Sequence, residues 1–307
     1  MESWLADTQT LLGVGFVQSA LIAAALLGIV SGVVTPLVVM RRMSFTVHGT
    51  SELALMGASA ALLTGISVGA GSILGSVLAA IVLALLGMRG GQDTAVGVVL
   101  SFGMGLSVLF IHLYPGRTTT AFSLLTGQIV GLSSASVWLL AAVAALVVTV
   151  VVLVWRPLLF ASADPVLAAA SGINVRAMSV LFAILIGLTA AQGVQIVGAL
   201  LIISLLITPG AAAAYLTANP VKAVVLSVIF AELAAVGGVL LSLAPGMPVS
   251  VFVTAISFGI YLVARFIGWW RGRSATRDDI AAGRWATSAN PDIDPDCDDC
   301  AGRHPAP

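Results

Sequence analysis

Apolar residues form long, nearly uninterrupted runs along most of the chain, and polar residues gather between the runs and at the two ends. Runs of about twenty apolar residues are long enough to cross a ~30 Å hydrocarbon core as a helix. Apolar and polar positions do not alternate within the runs, as they would in the strands of a membrane barrel. The pattern therefore predicts an all-α integral membrane protein. Nine transmembrane helices are predicted, near residues 15–40, 45–65, 69–88, 93–113, 135–155, 177–193, 195–216, 222–243 and 248–268.

Two predicted connections are longer than turns. The segment from Tyr114 to Ser134 is too apolar for a solvated loop and too broken for a full span, which favours a short re-entrant or interfacial helix. The apolar runs of the sixth and seventh predicted spans are nearly continuous, and only the break at Gln192–Gln195 divides them. Eight spans with one re-entrant segment is therefore the alternative to nine.

The second long connection, from Pro157 to Arg176, contains a pattern typical of a short helix. Asp164-Pro165 is a good helix start, and the alanine-rich residues that follow end at Gly172. A helix lying on one face of the membrane is predicted here. It either docks a partner or merely joins two spans, and the local sequence does not decide between these functions.

Composition agrees with the membrane prediction and separates one segment from it. Charged residues make up 8% of the chain, against about 25% in soluble proteins, whose surfaces must face water. Residues 274–307 are instead polar, rich in Asp and Pro, and without an apolar period, which is typical of disorder. We therefore expect a transmembrane domain over residues 1–273 and a disordered acidic tail over residues 274–307.

The basic residues predict the orientation of the chain. If the N-terminus lies outside, twelve of the thirteen Lys and Arg residues fall on one side of the membrane and Arg117 on the other. The positive-inside rule assigns the side with the majority to the cytoplasm. The sequence thus predicts a multi-pass protein of the cytoplasmic membrane, with its N-terminus outside and its C-terminus, including the tail, in the cytoplasm.

Two acidic residues, Glu52 and Glu232, are placed well inside predicted spans. A charge at the bilayer centre costs on the order of 3 kcal/mol, so each is a functional hypothesis. His48 precedes Glu52 by four residues, which places both side chains on one helix face. Imidazole nitrogen and carboxylate oxygen suit zinc, manganese or iron(II). The alternative is that His48 and Glu52 hydrogen-bond to each other or to neighbouring Ser and Thr side chains.

Other candidate chemistry is sparser. Glu232 has no histidine nearby and is a candidate second pathway acid, a proton carrier or a structural acid. Cys297, Cys300 and His304 in the tail form a weak metal-binding signal, because a single CxxC in a disordered segment is not specific. The chain has no GxxxxGK[ST] phosphate loop, so we do not expect it to hydrolyse ATP by that route.

Four stretches resemble one protein family. They are Arg41–Phe45 leading into a helix with Ser51, Leu55 and Gly57; Asp164–Ile173; Val197–Pro209; and Pro245–Pro248. Their pattern is similar to that of the membrane permeases of ABC-type importers for zinc, manganese and iron. The family has an Asp followed four residues later by a His, where this chain has His48 and then Glu52. A proline of the family pattern is replaced by Met56.

The resemblance implies a bundle like that of type II ABC importer permeases. It implies a permease homodimer that works with two cytoplasmic ATPase subunits and an extracytoplasmic metal-binding protein. The cargo would be a divalent metal ion, with zinc ranked ahead of manganese and iron. ATP would act only through the partner subunit, and neither a tightly bound cofactor nor a nucleic-acid partner is expected.

The resemblance also implies a role for the short helix of the inner connection. In the family this loop contacts the ATPase, which here corresponds to Asp164, Pro165, Ala168, Gly172 and Ile173. The runner-up function is an ion-coupled secondary transporter that uses Glu52 or Glu232 as its proton-carrying acid. That class would show inverted repeats and broken helices at matched positions.

Overall fold

The computed structural model describes residues 15–87, 92–116, 124, 134–196, 198, 202–243 and 248–281. Its regular structure is helical throughout these residues. The long helices are α1 (Gly15–Met40), α2 (Ser44–Thr64), α3 (Val68–Gly87), α4 (Gln92–Leu113), α5 (Ser134–Leu153), α8 (Val175–Ile196), α9 (Ile202–Leu216), α10 (Pro220–Leu243) and α11 (Val249–Ala281). Two short helices, α6 (Trp155–Ala163) and α7 (Pro165–Ala170), lie between α5 and α8.

The long helices lie where the apolar runs predicted them, but the break before α9 was predicted in the wrong place. α8 continues through Gln192 to Ile196. Gln192 is buried, and its Nε2 donates a hydrogen bond to Leu140 O at 3.2 Å, so this polar side chain is tolerated inside the bundle. Gly198, two residues after the end of α8, has a φ of 91°, in the region that favours glycine, and its N–H donates to Gly193 O at 3.3 Å.

Two other predicted segments, the tail and the re-entrant segment, lie partly outside the described residues. The last helix reaches Ala281 rather than residue 268, so Ser274, the expected start of the tail, lies within α11. Residues 282–307 lie outside the described residues. The predicted re-entrant segment from Tyr114 to Ser134 also falls largely outside them.

Seven of the long helices in the described residues are long and apolar enough to cross a membrane. The other two are α2 and α9. α2 has 21 residues but carries His48, Glu52 and several hydroxyl side chains, which lower its hydropathy. α9 has 15 residues, or about 22 Å of helix at 1.5 Å per residue, which is short against a ~30 Å core.

Burial separates central from peripheral helices. Within the apolar window of each span, 67% of α1 and 61% of α8 is buried, against 17% of α4 and of α11. Valine, leucine and isoleucine side chains from α1, α5 and α8 form the largest core cluster around Phe182. α2 packs against α3, α4, α8 and α9. The helix that carries His48 and Glu52 is therefore enclosed by its neighbours.

Small residues allow the helices to approach closely. A Cβ added at Gly57 in α2 would overlap the carbonyl oxygen of Gly71 in α3, and one added at Gly75 would overlap Leu53 O. α1 and α10 meet in the same way at Gly32 and Val228. Close backbone packing of this kind stabilises membrane bundles, where the hydrophobic effect adds little between helices.

Contacts between helix ends place most basic residues together. Arg41, just after α1, reaches Ser162 in α6 and Ser179 in α8. Arg271 Nη1 donates to Leu216 O at the end of α9, at 3.5 Å. Successive long helices along the chain run in opposite directions, so these contacts define one end of the bundle. We name it the basic end. Its basic residues in the described part of the chain are Arg41, Arg42, Arg156, Arg176, Lys222, Arg265 and Arg271.

Candidate metal-ion site

The enclosed helix α2 positions His48 and Glu52. Glu52 is 2% exposed and lies two residues before Ala54, the middle of the helix. At 1.5 Å per residue, Glu52 lies about 12 Å, and His48 about 6 Å, from the start of α2 at the basic end. The structure therefore places buried Glu52 and half-buried His48 in the half of α2 nearer the basic end.

The hydrogen bonds around the pair bear on the alternative interpretation of these residues. Nδ1 of His48 is buried without a hydrogen-bond partner among the described residues. The nearby hydroxyls of Thr50 and Ser51 donate to carbonyl oxygens of their own helix, at 2.9 Å to Thr46 O and 2.7 Å to Val47 O. These two hydroxyls are thus satisfied without His48 or Glu52. A buried polar atom without a partner is uncommon in proteins and marks a position where a ligand can bind.

The pair provides few ligands. Among the described residues, no group of three or more His, Cys, Asp or Glu side chains is placed to hold a metal ion. One imidazole nitrogen and one carboxylate do not complete a tetrahedral site. An ion at this position would keep part of its water shell, which suits passage better than permanent retention.

Glu232 lies on the other side of the core. It is on α10, which packs against α1, α9 and α11, and its Oε1 would be 2.8 Å from a Cβ at Gly28. This Oε1 is buried and finds no hydrogen-bond partner in the part of the chain that the structure describes. The structure therefore does not assemble Glu232 with His48 and Glu52 into one site.

The short helix predicted after Asp164 is present as α7. Oδ1 of Asp164 accepts hydrogen bonds from the backbone N–H groups of Val166 and Leu167, at 3.0 and 2.9 Å. Pro165 occupies the first helical turn. At the other end, Gly172 has a φ of 83°, and the N–H of Ile173 donates to Ala168 O at 3.0 Å. This left-handed cap stops the helix and turns the chain toward α8.

Burial corrects which face of α7 is available to a partner. The resemblance implies that Ala168 is one of the residues that contact the ATPase. Ala168 is instead fully buried against the chain itself, whereas Val166 is 79% and Leu167 57% exposed. The correction follows from the position of α7 against α6 and α8, which a single sequence does not show.

The remaining candidate residues lie in the predicted tail, and the contacts of Arg41 were not predicted from the sequence. Cys297, Cys300 and His304 lie outside the described residues. The sequence predicts Arg41 as a topology charge and as part of the family pattern, but not its tertiary contacts: its guanidinium lies between α6 and α8 and 5.1 Å from the centre of the Phe182 ring. The pair Arg41-Arg42 at a helix end gives no signal that distinguishes a tertiary contact from a solvated charge.

The fold and the pair His48 and Glu52 define a multi-pass membrane protein with a candidate cation site, and comparison with known proteins identifies its family. The model of the ABC 3 transport family matches residues 14–268. The chain belongs to the ABC 3 transport family.

Relatives and a solved structure extend over most of the chain. The manganese import system permease protein ScaB of Streptococcus parasanguinis is 32% identical over 255 residues, which cover 82% of this chain and 90% of ScaB. The manganese transport system membrane protein MntC of Halalkalibacterium halodurans is 27% identical over 275 residues, covering 86% and 94% of the two chains. PsaBC from Streptococcus pneumoniae, solved in complex with Fab, matches with a TM-score of 0.77 and 26% identity, over 85% of this chain and 94% of that chain.

Proposed function

We propose that this chain is the permease of an ABC importer that carries manganese ions into the cytoplasm, using a separate ATPase. The observation that carries the proposal is the pair His48 and Glu52 on the enclosed helix α2. Glu52 is buried, and the buried Nδ1 of half-buried His48 has no hydrogen-bond partner among the described residues. A divalent ion that leaves water needs nitrogen or oxygen ligands, and this pair supplies one of each. Membership of the ABC 3 transport family supports the transport class.

The choice of metal rests on the relatives. Imidazole and carboxylate ligands suit zinc, manganese and iron(II) alike, so the ligand types do not choose between them. The sequence ranked zinc first, and the relatives give that ranking no support. ScaB and MntC are both named for manganese transport. Manganese therefore replaces zinc as the proposed cargo.

The proposal includes nine spans with the basic end in the cytoplasm. Seven described basic residues gather at that end, as the positive-inside rule requires of a cytoplasmic face. α2 is counted as a span because α3, α4, α8 and α9 shield its polar side chains from lipid. α9 is counted because it packs against α1, α10 and α11. The N-terminus is then outside and the C-terminus inside.

The proposed partners follow from the class and from α7. The exposed Val166 and Leu167 provide a small apolar surface at the basic end, where an ATPase would dock. Two ATPase subunits, a second copy of the permease and an extracytoplasmic metal-binding protein complete the proposed assembly. ATP would act only through the ATPase, and the chain itself would have no enzymatic activity.

Transport by the reconstituted complex tests the proposal. The permease is placed in vesicles with its ATPase and its binding protein, and manganese and zinc uptake are measured with ATP on the ATPase side. We expect ATP-dependent manganese uptake in preference to zinc. Zinc uptake without manganese uptake would overturn the metal assignment. Uptake driven by a proton gradient in the absence of ATP would overturn the transport class and favour a secondary transporter.

A further inference from the structure

Arg41 connects three parts of the chain at the basic end. It follows the last residue of α1 and lies three residues before Ser44, the start of α2. Its Nε donates to Ser162 Oγ in α6 at 2.6 Å, and its Nη1 reaches Ser179 Oγ in α8 at 3.5 Å. Its Nη2 donates to Leu158 O, also in α6, at 3.4 Å. One side chain thus joins the α1–α2 turn to both helices that flank α7.

The environment of Arg41 differs from that of a solvated topology charge. The guanidinium lies 5.1 Å from the centre of the buried Phe182 ring, and burial lowers the pKa of Arg41 from its ordinary value. All the hydrogen-bond acceptors of Arg41 given above are neutral. Withdrawing a charge from water costs free energy that neutral acceptors offset only in part. The three hydrogen bonds use the branched donor geometry of arginine, which lysine lacks.

The turn that carries Arg41 is held by its own backbone. Arg42 has a φ of 54°, the one positive φ of a non-glycine residue in the described part of the chain. Its N–H donates to Val39 O at 3.1 Å, and the N–H of Met43 donates to Val38 O at 3.0 Å. These two bonds form the Schellman pattern that normally uses glycine. A displacement of Arg41 would therefore move the start of α2 rather than be absorbed by a flexible loop.

The helices on the two sides of this contact carry the two proposed functional sites. Ser162 is two residues before Asp164, which caps α7. The exposed side chains of α7 are the proposed ATPase contact. On the other side, α2 begins at Ser44 and carries His48 and Glu52. A cavity of about 380 Å³ lies beside Arg41 and leaves room for relative movement. Its lining includes Met43, Leu83, Ser162, Pro165 and Ser179.

We propose that Arg41 transmits movement of the α6–α7 segment to α2, and so links ATPase action to the metal pathway. This inference rests on the proposed function of the chain. Arg41 acts as a positioning residue: it contacts neither the ATPase-facing side chains nor the proposed metal ligands. When α6 moves, its hydrogen bonds to Arg41 pull the α1–α2 turn, and α2 shifts with the turn.

The test measures manganese uptake per ATP hydrolysed in the reconstituted complex. We expect Arg41→Ala to accumulate, to bind the ATPase and to allow ATP hydrolysis, with uptake per ATP reduced by about fivefold or more. Arg41→Lys keeps the charge without the branched donors and should restore only part of the ratio. Arg176→Lys alters an exposed arginine at the same end and should leave the ratio unchanged.

A second variant covers the case in which Arg41→Ala fails to fold. Ser162→Ala keeps Arg41 but removes the 2.6 Å hydrogen bond, so the ratio should fall in the same direction. Unchanged uptake per ATP in folded Arg41→Lys and Ser162→Ala complexes would overturn this role of Arg41 while the proposed function stands. Absence of ATP-driven manganese uptake in the unmodified complex would instead overturn both.

Discussion

The hydroxyl oxygens of Thr35 and Ser227 lie 2.8 Å apart and join α1 to α10 inside the bundle. Thr35 Oγ1 also lies 2.7 Å from Ser31 O in its own helix. Because a hydroxyl has one proton, Thr35 donates to that carbonyl and Ser227 donates to Thr35. Such bonds between membrane helices contribute about 0.6–2 kcal/mol. The bond fixes the register in which Gly32 meets Val228.

The first prediction concerns this contact between α1 and α10. A Cβ at Gly32 would overlap the backbone of Val228, which cannot rotate away as a side chain can. We expect Gly32→Ala to lower the unfolding free energy by about 1–3 kcal/mol. Thermal unfolding in detergent measures the change. Gly105→Ala is the matched control, because Gly105 has no atom within 4 Å of its added Cβ and should tolerate alanine. Equal stability of the two variants would contradict the packing argument.

The second prediction concerns the metal path. His48→Ala removes the imidazole, and Glu52→Gln keeps size and hydrogen bonding while removing the charge. Each should abolish most manganese uptake per molecule without lowering the amount of permease in the membrane. Uptake in reconstituted vesicles, normalised to permease content, is the measurement. If the pair were only structural, the amount of protein would fall and the remaining molecules would transport normally.

Glu232→Gln is the matched control for Glu52→Gln. Both acids lie inside the bundle, but Glu232 packs against Gly28 on α1, away from α2. We expect this variant to retain manganese uptake per molecule. A loss as large as that of Glu52→Gln would restore Glu232 as a pathway acid and make the site larger than the pair.

The third prediction concerns the exposed face of α7. Val166→Asp and Leu167→Asp place a charge on side chains that are 79% and 57% exposed, so the permease should fold normally. Loss of the apolar contact should prevent co-purification with the ATPase. Val166→Thr keeps the side-chain shape without adding a charge and should still bind. Full ATPase binding by both aspartate variants would show that docking occurs elsewhere.

The fourth prediction concerns orientation. A reporter fused after Trp270 should be cytoplasmic, and a reporter placed near Arg117 should be external. The expectation follows from an odd number of membrane crossings between these two positions in the nine-span arrangement. Finding both reporters on the same side would contradict that arrangement.

The positions of seven of the nine long helices in the described residues could be predicted because their apolar runs are long enough to meet the membrane requirement by themselves. α7 could be predicted for a local reason as well: Asp164, Pro165 and Gly172 each favour a particular backbone position. The limits of α8 could not, because Nε2 of Gln192 donates to Leu140 O, an acceptor 52 residues away. From the sequence alone, a polar residue in an apolar run looks like the end of a helix, because its distant hydrogen-bond partner is not known.

In the candidate site, too, some features follow from the local sequence and others depend on helix packing. The spacing of His48 and Glu52 on one helix face is a local property, and their placement in an enclosed helix agrees with it. The separation of Glu232 from this pair depends on which helices pack together. The inward position of Ala168 and the three contacts of Arg41 also depend on packing, and no local pattern encodes them.

The close approach of Gly57 and Gly71 has a consequence for how the protein is made. α2 falls short of the hydropathy of an independent span, whereas α3, its next neighbour along the chain, meets it. The backbones of the two helices touch, so α3 covers part of the surface that α2 would otherwise show to lipid. During synthesis α2 would therefore wait for α3 to emerge from the ribosome, and the two would enter the bilayer together as a helical hairpin, carrying His48 and Glu52 with them.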